Sequence, residues 1–379
     1  MLILDIGSGS VGAGLAHFSN PQPPMLLYTT RHTIPFQEVA TAPRLLSLMF
    51  RTLSQTLLDV VSEGMPVAGF SSKRHPLREV FVILASPWIV STTSRLHLTS
   101  EKATLVTEKI FQTLLRDHEK ENPPPKRALC VEQKLLRVTL NGYESTAPFQ
   151  KSANEVMFSL LRSFAQENIV LKMREMVNHI IGVSAVSFHS SSLMTLSAIR
   201  DLSSEQQDFI LLDARGELTD IAVVKRGMIV DTLSFPFGSN TVIRELQKKT
   251  TATNAGILGI LKLRAEKKTV GKLQSRIDHE VLTLKEKWLQ ECKKVVMSFS
   301  DDLFLPKTLF LLSEDETHSF FSEAIQAVDW SASLLTSKPF QIKSLRVETA
   351  SPFIRWSPHV RHDSILALQT ITGNRLLTV

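Results

Sequence analysis

The chain has 379 residues, 43% of them hydrophobic and 21% charged, which suits a globular protein with more than one compact unit. It contains no run of 18 or more apolar residues, and Asp5 interrupts the apolar N-terminus, so neither a transmembrane helix nor a signal peptide is expected. Its two cysteines, Cys130 and Cys292, exclude a disulfide framework and favour a reducing, cytoplasmic compartment. The net charge of +6 arises within residues 244–294, where helical spacing favours a solvated face over a nucleic-acid site.

The first predicted strand is a short apolar segment that carries an acid. Leu2 to Ile6 is apolar apart from Asp5, which predicts a buried strand, and apolar residues resume at Val11 as a return strand. The turn between them contains only small residues: Gly7, Ser8, Gly9 and Ser10. Bare backbone N–H groups in such a turn can cradle an anion, and an ordinary Gly/Ser hairpin turn fits the same residues. The spacing matches neither a P-loop nor the Gly-x-Gly-x-x-Gly motif.

An amphipathic helix is predicted next, over Ala42–Val61, and a separate small module follows it. The module's predicted elements are, in chain order, a strand over Glu79–Ala85, a strand over Ser91–Leu98, a helix that begins at the N-cap signal Thr99–Glu101 and runs to Leu115, and two strands within residues 128–140. This order predicts a small α+β insert over residues 78–166.

The second half of the chain repeats the opening pattern. Helices are predicted over Asn168–Ile181 and Ser190–Ile199. An apolar strand over Asp208–Asp213 then ends in an aspartate, and a turn leads into the return strand Leu218–Val224. Strand, aspartate, turn and strand thus occur twice, about two hundred residues apart, which indicates an internal duplication.

The two hairpins resemble the phosphate motifs of the actin-like ATPase superfamily, which includes actin, Hsp70 and the sugar kinases. "LDIGSGSVGAG" at 4–14 is similar to the first motif, and "LLDARGELTDIAVVKRGMIV" at 211–230 resembles the second. "LSFPFGSNTVIREL" at 233–246 resembles the strand-to-helix step that follows it. The insert, with "LNGYESTAPFQKSANEVMFSLLRSF" at 140–164, and the final helix in "HDSILALQTITGN" resemble the PilM/FtsA-like branch, whose insert is of the SHS2 type.

This resemblance implies an α/β fold, namely a duplicated actin-like (ribonuclease H-like) two-domain fold with a small α+β inserted subdomain. Domain 1 would comprise residues 1–77 and 167–199, interrupted by the insert at 78–166. Domain 2 would comprise residues 200–379, with a last helix over 362–373 that returns towards domain 1.

The resemblance also implies a cleft for ATP and Mg²⁺. Asp5 and Asp213 would face each other and hold the hydrated metal, because magnesium binds carboxylates, phosphates and water. The residues that the resemblance assigns to the nucleotide are Gly7, Ser8, Gly9, Ser10, Arg215, Gly216, Glu217, Thr219, Gly238, Glu266, Lys268 and Ser313. Glu217 would also position the attacking water, since phosphoryl transfer depends mainly on orientation and charge. The alternatives are a hairpin cap for each aspartate and a surface turn residue for Glu217.

Two departures from the family pattern put nucleotide binding in doubt. Arg215 stands where a glycine follows the second aspartate by two residues, so it either impairs phosphate binding or binds phosphate itself. The acidic segment Ser313–Glu316 replaces the glycine-rich adenosine motif, and its charges would repel a nucleotide. We therefore expect weak or absent ATP binding and inefficient hydrolysis.

The function implied by the resemblance is that of a cytoplasmic adaptor of the PilM/FtsA type. Such a protein would bind a short peptide of a membrane-anchored partner near the insert and couple it to a machine for type IV pilus assembly or cell division. It would meet the membrane only indirectly, bind no nucleic acid, and have the capacity to self-associate. The alternative is a functional Mg-ATP-binding actin-like ATPase that polymerises.

Overall fold

The computed structural model describes the chain except residues 20–21, 40, 71–76, 251, 267, 269–273, 300–304, 328–339 and 377–379. Its strands are β1 (Leu2–Ile6), β2 (Ser10–Ser19), β3 (Gln22–Thr33), β4 (Val80–Leu84), β5 (Ile89–Leu105), β6 (Ala128–Leu140), β7 (Tyr143–Glu144), β8 (Ser152–Gln166), β9 (Val186–Ser190), β10 (Phe209–Arg215), β11 (Leu218–Lys225), β12 (Met228–Phe235), β13 (Thr308–Ser313), β14 (Gln341–Ser344) and β15 (Arg355–Trp356). Its helices are α1 (Ala42–Asp59), α2 (Met65–Val67), α3 (Glu108–Glu121), α4 (Glu167–Ile181), α5 (Ser191–Leu202), α6 (Ser239–Lys249), α7 (Asn254–Ala265), α8 (Gln274–Ser298), α9 (Asp315–Gln326), α10 (Val347–Ala350) and α11 (Ser364–Leu376).

The two larger sheets have the same topology. The first has the strand order β15-β3-β2-β1-β4-β9, and the second has the order β12-β11-β10-β13-β14. In each, the acid-bearing strand is antiparallel to the next strand in the chain and parallel to the strand on its other side. Both acid-bearing strands are buried along their whole length, as expected of central strands covered on both faces. The repeated order confirms the predicted duplication.

Strand alternation divides the core into layers. Successive side chains of a strand point to opposite faces, so Leu4 and Leu212 pack outward, against α1 and α4 in the first domain and against α6 to α9 in the second. Ile3 and Leu211 point the other way and share one hydrophobic cluster with α5 and α11. The C-terminal helix α11 therefore lies between the two sheets, where it also contacts β1, β2 and β3.

The third sheet has the order β5-β8-β6-β7 and forms the insert, with α3 covering one face. Here the structure corrects three sequence predictions. The strand predicted to open the insert is β4, which pairs with β1 and β9 in the first sheet, so the insert's own sheet begins at Ile89. The N-cap predicted at Thr99–Glu101 lies inside β5, whose ladder with β8 continues to Leu105, and Thr107 caps α3 instead. Residues 128–140 form one strand, because β6 pairs with β8 almost throughout.

The division of the chain into domains stays a prediction. Among the described residues, no helix combines the length and the hydropathy that crossing a bilayer would require.

Candidate functional site

The two acid-bearing strands meet where Arg215 links their aspartates. Asp5 is fully buried on β1, and Asp213 is buried on β10. The Arg215 guanidinium donates two hydrogen bonds to the Asp213 carboxylate, at 2.6 and 2.7 Å, and a longer one of 3.3 Å to Asp5 Oδ2. A fork of this kind is the geometry in which arginine binds carboxylates most strongly. The two aspartates therefore lie on either side of one guanidinium, and this side chain occupies the gap between them.

A second arginine and an amide complete the surroundings of Asp5. Arg31 on β3 donates to Asp5 Oδ2 at 2.8 Å and to the Ser10 hydroxyl at 2.9 Å. It also forms an ion pair of 2.6 Å with Asp363, the residue that caps the N-terminus of α11. Gln369 on α11 donates to Asp5 Oδ1 at 2.7 Å. Both oxygens of Asp5 thus accept hydrogen bonds from the protein's own side chains.

The charges in this cluster stabilise one another. Burial alone would raise the pKa of Asp5, but the guanidinium groups of Arg215 and Arg31 and the Gln369 amide outweigh it, so the pKa is lowered. Burial would likewise lower the pKa of Arg215, and the charges of Asp213 and Asp5 raise it well above its ordinary value. Asp5 is therefore ionised at neutral pH and neutralised by arginine.

The first loop (Gly7–Ser10) and the second loop (Arg215–Glu217) touch each other directly. Glu217 N donates to the Ser8 hydroxyl at 2.9 Å. A Cβ atom placed on Gly9 would lie 2.8 Å from Gly216 Cα, and one placed on Gly216 would lie 2.4 Å from Gly9 N. Gly238 packs on the other side, where a Cβ would lie 2.4 Å from Gly216 O. Glycine is therefore needed at these positions for backbone to approach backbone.

Backbone groups predicted to be free for phosphate already have partners. Gly7 N donates to Ser10 O at 3.0 Å, which closes the first turn. Gly216 N donates to Glu314 Oε1 at 3.0 Å. Glu314, in the acidic segment after β13, thus binds the backbone of the second loop in the manner that a bound anion would.

Glu217 and Thr219 are held by neighbours within domain 2. Arg244 on α6 binds both Glu217 carboxylate oxygens, at 2.5 and 3.0 Å, and Asn240 donates to one of them at 2.8 Å. Glu217 is buried rather than a surface turn residue. The Thr219 hydroxyl donates to Phe237 O at 2.6 Å and accepts from the Trp288 indole at 3.1 Å. Among the described residues, both side chains are thus held by hydrogen bonds to their neighbours.

Three further predicted residues lie outside this cluster. The Ser313 hydroxyl is hydrogen-bonded to His318 at 2.8 Å, and burial, with a smaller contribution from Arg346, lowers the His318 pKa to about 4. Glu266 and Lys268 are exposed and pair with each other at 2.6 Å. Within the described ranges, neither of these last two has a hydrogen bond to either loop.

Sequence reasoning missed four residues of the cluster: Arg31, Asp363, Gln369 and Arg244. One signal was available for the first of them. Arg31 pairs across the sheet with Gly12, and a Cβ on Gly12 would lie 2.6 Å from the Arg31 guanidinium. A glycine within a return strand can indicate that another group approaches its backbone closely. The resemblance implied that the last helix returns towards domain 1, but no residue pattern in the sequence assigns Gln369 to Asp5.

The cluster does not fit magnesium and a triphosphate in this arrangement. Every carboxylate oxygen of Asp5 and Asp213 accepts a hydrogen bond from a side chain, and the two loops are in contact where phosphates would enter. In the part of the chain that the structure describes, no three His, Cys, Asp or Glu side chains are grouped to hold a metal. The nucleotide roles assigned to these residues stay predictions.

Asp220, which pairs with Asp213 across β10 and β11, makes stability depend on pH. Burial and then the Asp213 charge raise the Asp220 pKa to about 7. Because the folded-state pKa lies above the unfolded value of about 4, this contribution to stability is full below about pH 4, falls between about pH 4 and 7, and is lost above about 7. We expect the free energy of unfolding of the wild type, relative to that of Asp220→Asn, to fall by about 2–3 kcal/mol between pH 5 and 8, measured by urea denaturation. The comparison is needed because the lowered pKa of His318 changes stability in the opposite direction in both proteins. Equal pH dependence in the two proteins would contradict the assignment.

No protein-family model matches the sequence, and no curated protein matches it. Among solved structures, PilM of a PilM–PilN type IV pilus biogenesis complex superposes with a TM-score of 0.63 and 14% identity over 98% of each chain. The ethanolamine utilization protein EutJ from Carboxydothermus hydrogenoformans gives 0.48 and 12% identity, over 98% of this chain and 88% of its own. A Bacteroides thetaiotaomicron protein with an actin-like ATPase fold and unknown function gives a TM-score of 0.38 and 11% identity. The superposition covers 97% of this chain and 95% of that protein.

The protein thus has the same fold as PilM, with two α/β sheets that repeat one strand order and an insert, and this confirms the predicted fold class. It is similar in particular to PilM along its whole length, and at 14% identity that likeness shows the fold alone.

Proposed function

We propose that this protein is an actin-like adaptor of the PilM/FtsA type, in which Mg-nucleotide binding is degenerate. The observation that carries the proposal is the Asp5–Arg215–Asp213 bridge, with bonds of 2.6, 2.7 and 3.3 Å. Permanent cations neutralise both carboxylates, so the cleft is closed without a metal or phosphates. A protein closed in this way acts through binding rather than through a hydrolytic cycle.

The partner we propose is a membrane-anchored protein that presents a short peptide. Support comes from the likeness to PilM, whose solved structure is a type IV pilus biogenesis complex with PilN. The adaptor would work at the cytoplasmic face of the membrane and serve pilus assembly or cell division. It would contact the lipid only through that partner, and self-association would let one machine recruit several copies.

The insert offers apolar side chains for such a partner at the end of its sheet. Val106 exchanges backbone hydrogen bonds with Gln150 and Lys151, which places their neighbours Leu105 and Phe149 at the same end. These two side chains are 46% and 37% exposed. Exposed apolar groups of this kind indicate an interaction surface when they cluster.

Titration calorimetry with Mg-ATP separates the adaptor from a working ATPase. We expect no binding up to about 1 mM ATP, the limit at which affinity supplies about 4 kcal/mol. Micromolar binding that Asp5→Ala abolishes would contradict the proposal and support the alternative, a polymerising ATPase.

The partner is tested by capture from detergent-solubilised membranes of the source cells. The full-length protein is expected to retain one membrane-anchored protein, and Phe149→Asp should lose it. Leu282→Asp, at a 56% exposed position on α8, is the matched control and should retain it. Equal capture by both variants would place the partner away from the insert.

A further inference from the structure

A polar cavity of about 500 Å³ lies between the insert, the end of α5 and the turn that joins β11 to β12. Three arginines reach it from three different elements: Arg137 from β6, Arg200 from the end of α5, and Arg226 from the turn between β11 and β12. The remaining lining residues are Glu144, Ser204, Gln206, Gln207 and Gly227. All of these residues are polar or glycine, and the volume is in the range of small-molecule sites.

A second cavity of about 480 Å³ adjoins the first and shares Gln206 and Arg226 with it. It adds two more cations, Lys225 at the end of β11 and Lys307 before β13. We call the two cavities together the basic trough. Five cations line the trough against two acids, Glu144 and Asp208, so its net charge favours an anion.

The five cations divide into two groups by their partners. Arg137 donates to Arg226 O at 3.3 Å and lies 3.2 Å from Glu144, and Arg200 donates to Gly227 O. These two arginines hold the turn through its backbone carbonyls. Among the described residues, the side chains of Arg226, Lys225 and Lys307 have no hydrogen-bond or ion-pair partner. Within the described ranges, three positive charges along the trough are therefore unpaired.

The turn itself is strained by the arginine that it carries. Arg226 and Gly227 form a two-residue turn with φ angles of 49° and 70°. Both angles are positive, as in a type I′ turn, where asparagine followed by glycine is the favoured pair. An arginine tolerates this conformation poorly, and unfavourable backbone of this kind is concentrated at functional sites. The strain indicates that a positive charge at this position has a use.

We propose that the basic trough binds a small polyanion that carries two or more phosphate groups. The guanidinium of Arg226 would bind one phosphate through its fork, and Lys307 would bind another further along the trough. The glutamine amides and the Ser204 hydroxyl supply further donors. The lining offers no apolar side chain in the larger cavity, which disfavours a peptide with hydrophobic residues. This site is separate from the closed cleft and does not depend on the proposed adaptor function.

Inorganic tripolyphosphate is the probe, titrated into the full-length protein by calorimetry in low salt. We expect Arg226→Asn to weaken binding by about tenfold to a hundredfold, since it removes a charged hydrogen-bond donor. The ligand-free variant should be at least as stable to urea as the wild type, because asparagine suits a type I′ turn and the carbonyl bonds from Arg137 and Arg200 are retained. Lys307→Gln is the second variant and should also weaken binding.

A control variant lies away from the trough. Arg51→Gln removes one exposed charge from α1 and should bind tripolyphosphate as the wild type does. The proposal is overturned if Arg226→Asn binds tripolyphosphate as tightly as the wild type does. It is also overturned if Arg51→Gln loses as much affinity as Arg226→Asn. Tighter binding of a hexaglutamate peptide at the same site would also overturn it, in favour of an acidic protein segment.

Discussion

Arg215→Gly is expected to lower the free energy of unfolding by about 3–5 kcal/mol at neutral pH, measured by urea denaturation. The substitution removes the cation that binds Asp213 at 2.6 and 2.7 Å and Asp5 at 3.3 Å. Removing one partner of a buried ion pair leaves the other charge buried and uncompensated, which costs about this much. The free energy of unfolding of Arg215→Lys should lie between those of the wild type and Arg215→Gly, because lysine keeps the charge and loses the two-pronged guanidinium.

The same variant tests whether arginine occupies the place of a divalent cation. Millimolar Mg²⁺ is expected to raise the melting temperature of Arg215→Gly, since two adjacent carboxylates without their guanidinium attract a hard cation that binds only the folded state. The wild type should show no such rise. Lys120→Ala, which breaks an exposed pair with Asp117, is the control and should cost less than about 1 kcal/mol. If Arg215→Gly also lowers the free energy of unfolding by less than about 1 kcal/mol, Arg215 does not bridge the two aspartates in solution.

Gly216→Ala should destabilise the protein by about 2–5 kcal/mol in the same assay. Gly216 has a φ of 55°, which costs an alanine about 1–2 kcal/mol. The new methyl group would also lie 2.4 Å from Gly9 N and 2.5 Å from the Ser8 hydroxyl, so the two loops must separate. Forced overpacking of this kind adds about 1–3 kcal/mol.

Gly142→Ala isolates the contribution of the loop contact. Gly142 has a φ of 82°, and a Cβ added to it would have no atom within 4 Å, so it shares the backbone strain without the contact. We expect Gly142→Ala to cost only about 1–2 kcal/mol. If both variants lose the same stability, the loops are not in contact in solution.

Much of the fold was predictable because its signals are local. Leu2–Ile6 and Phe209–Arg215 are nearly continuous apolar runs, and each carries an aspartate close to a turn that contains glycine. Insert boundaries were less predictable. The apolar segment Glu79–Ala85 would suit a strand of the insert or a strand of the first sheet. Only its pairing with β1 assigns it to the first sheet. Thr99–Glu101 is a good N-cap signal, and the ladder with β8 overrides it.

The sequence by itself determined the two acid-ended strands, since burial pattern and turn chemistry are properties of neighbouring residues, and the family resemblance implied that they face one another. Only the tertiary structure decided what lies between those acids. Arg31 comes from the third strand and Gln369 from a helix 364 residues away in the chain. Which polar group satisfies a buried carboxylate depends on how distant elements pack, and no local pattern encodes that choice. The packing of the two sheets thus places the Arg215 guanidinium between the aspartates.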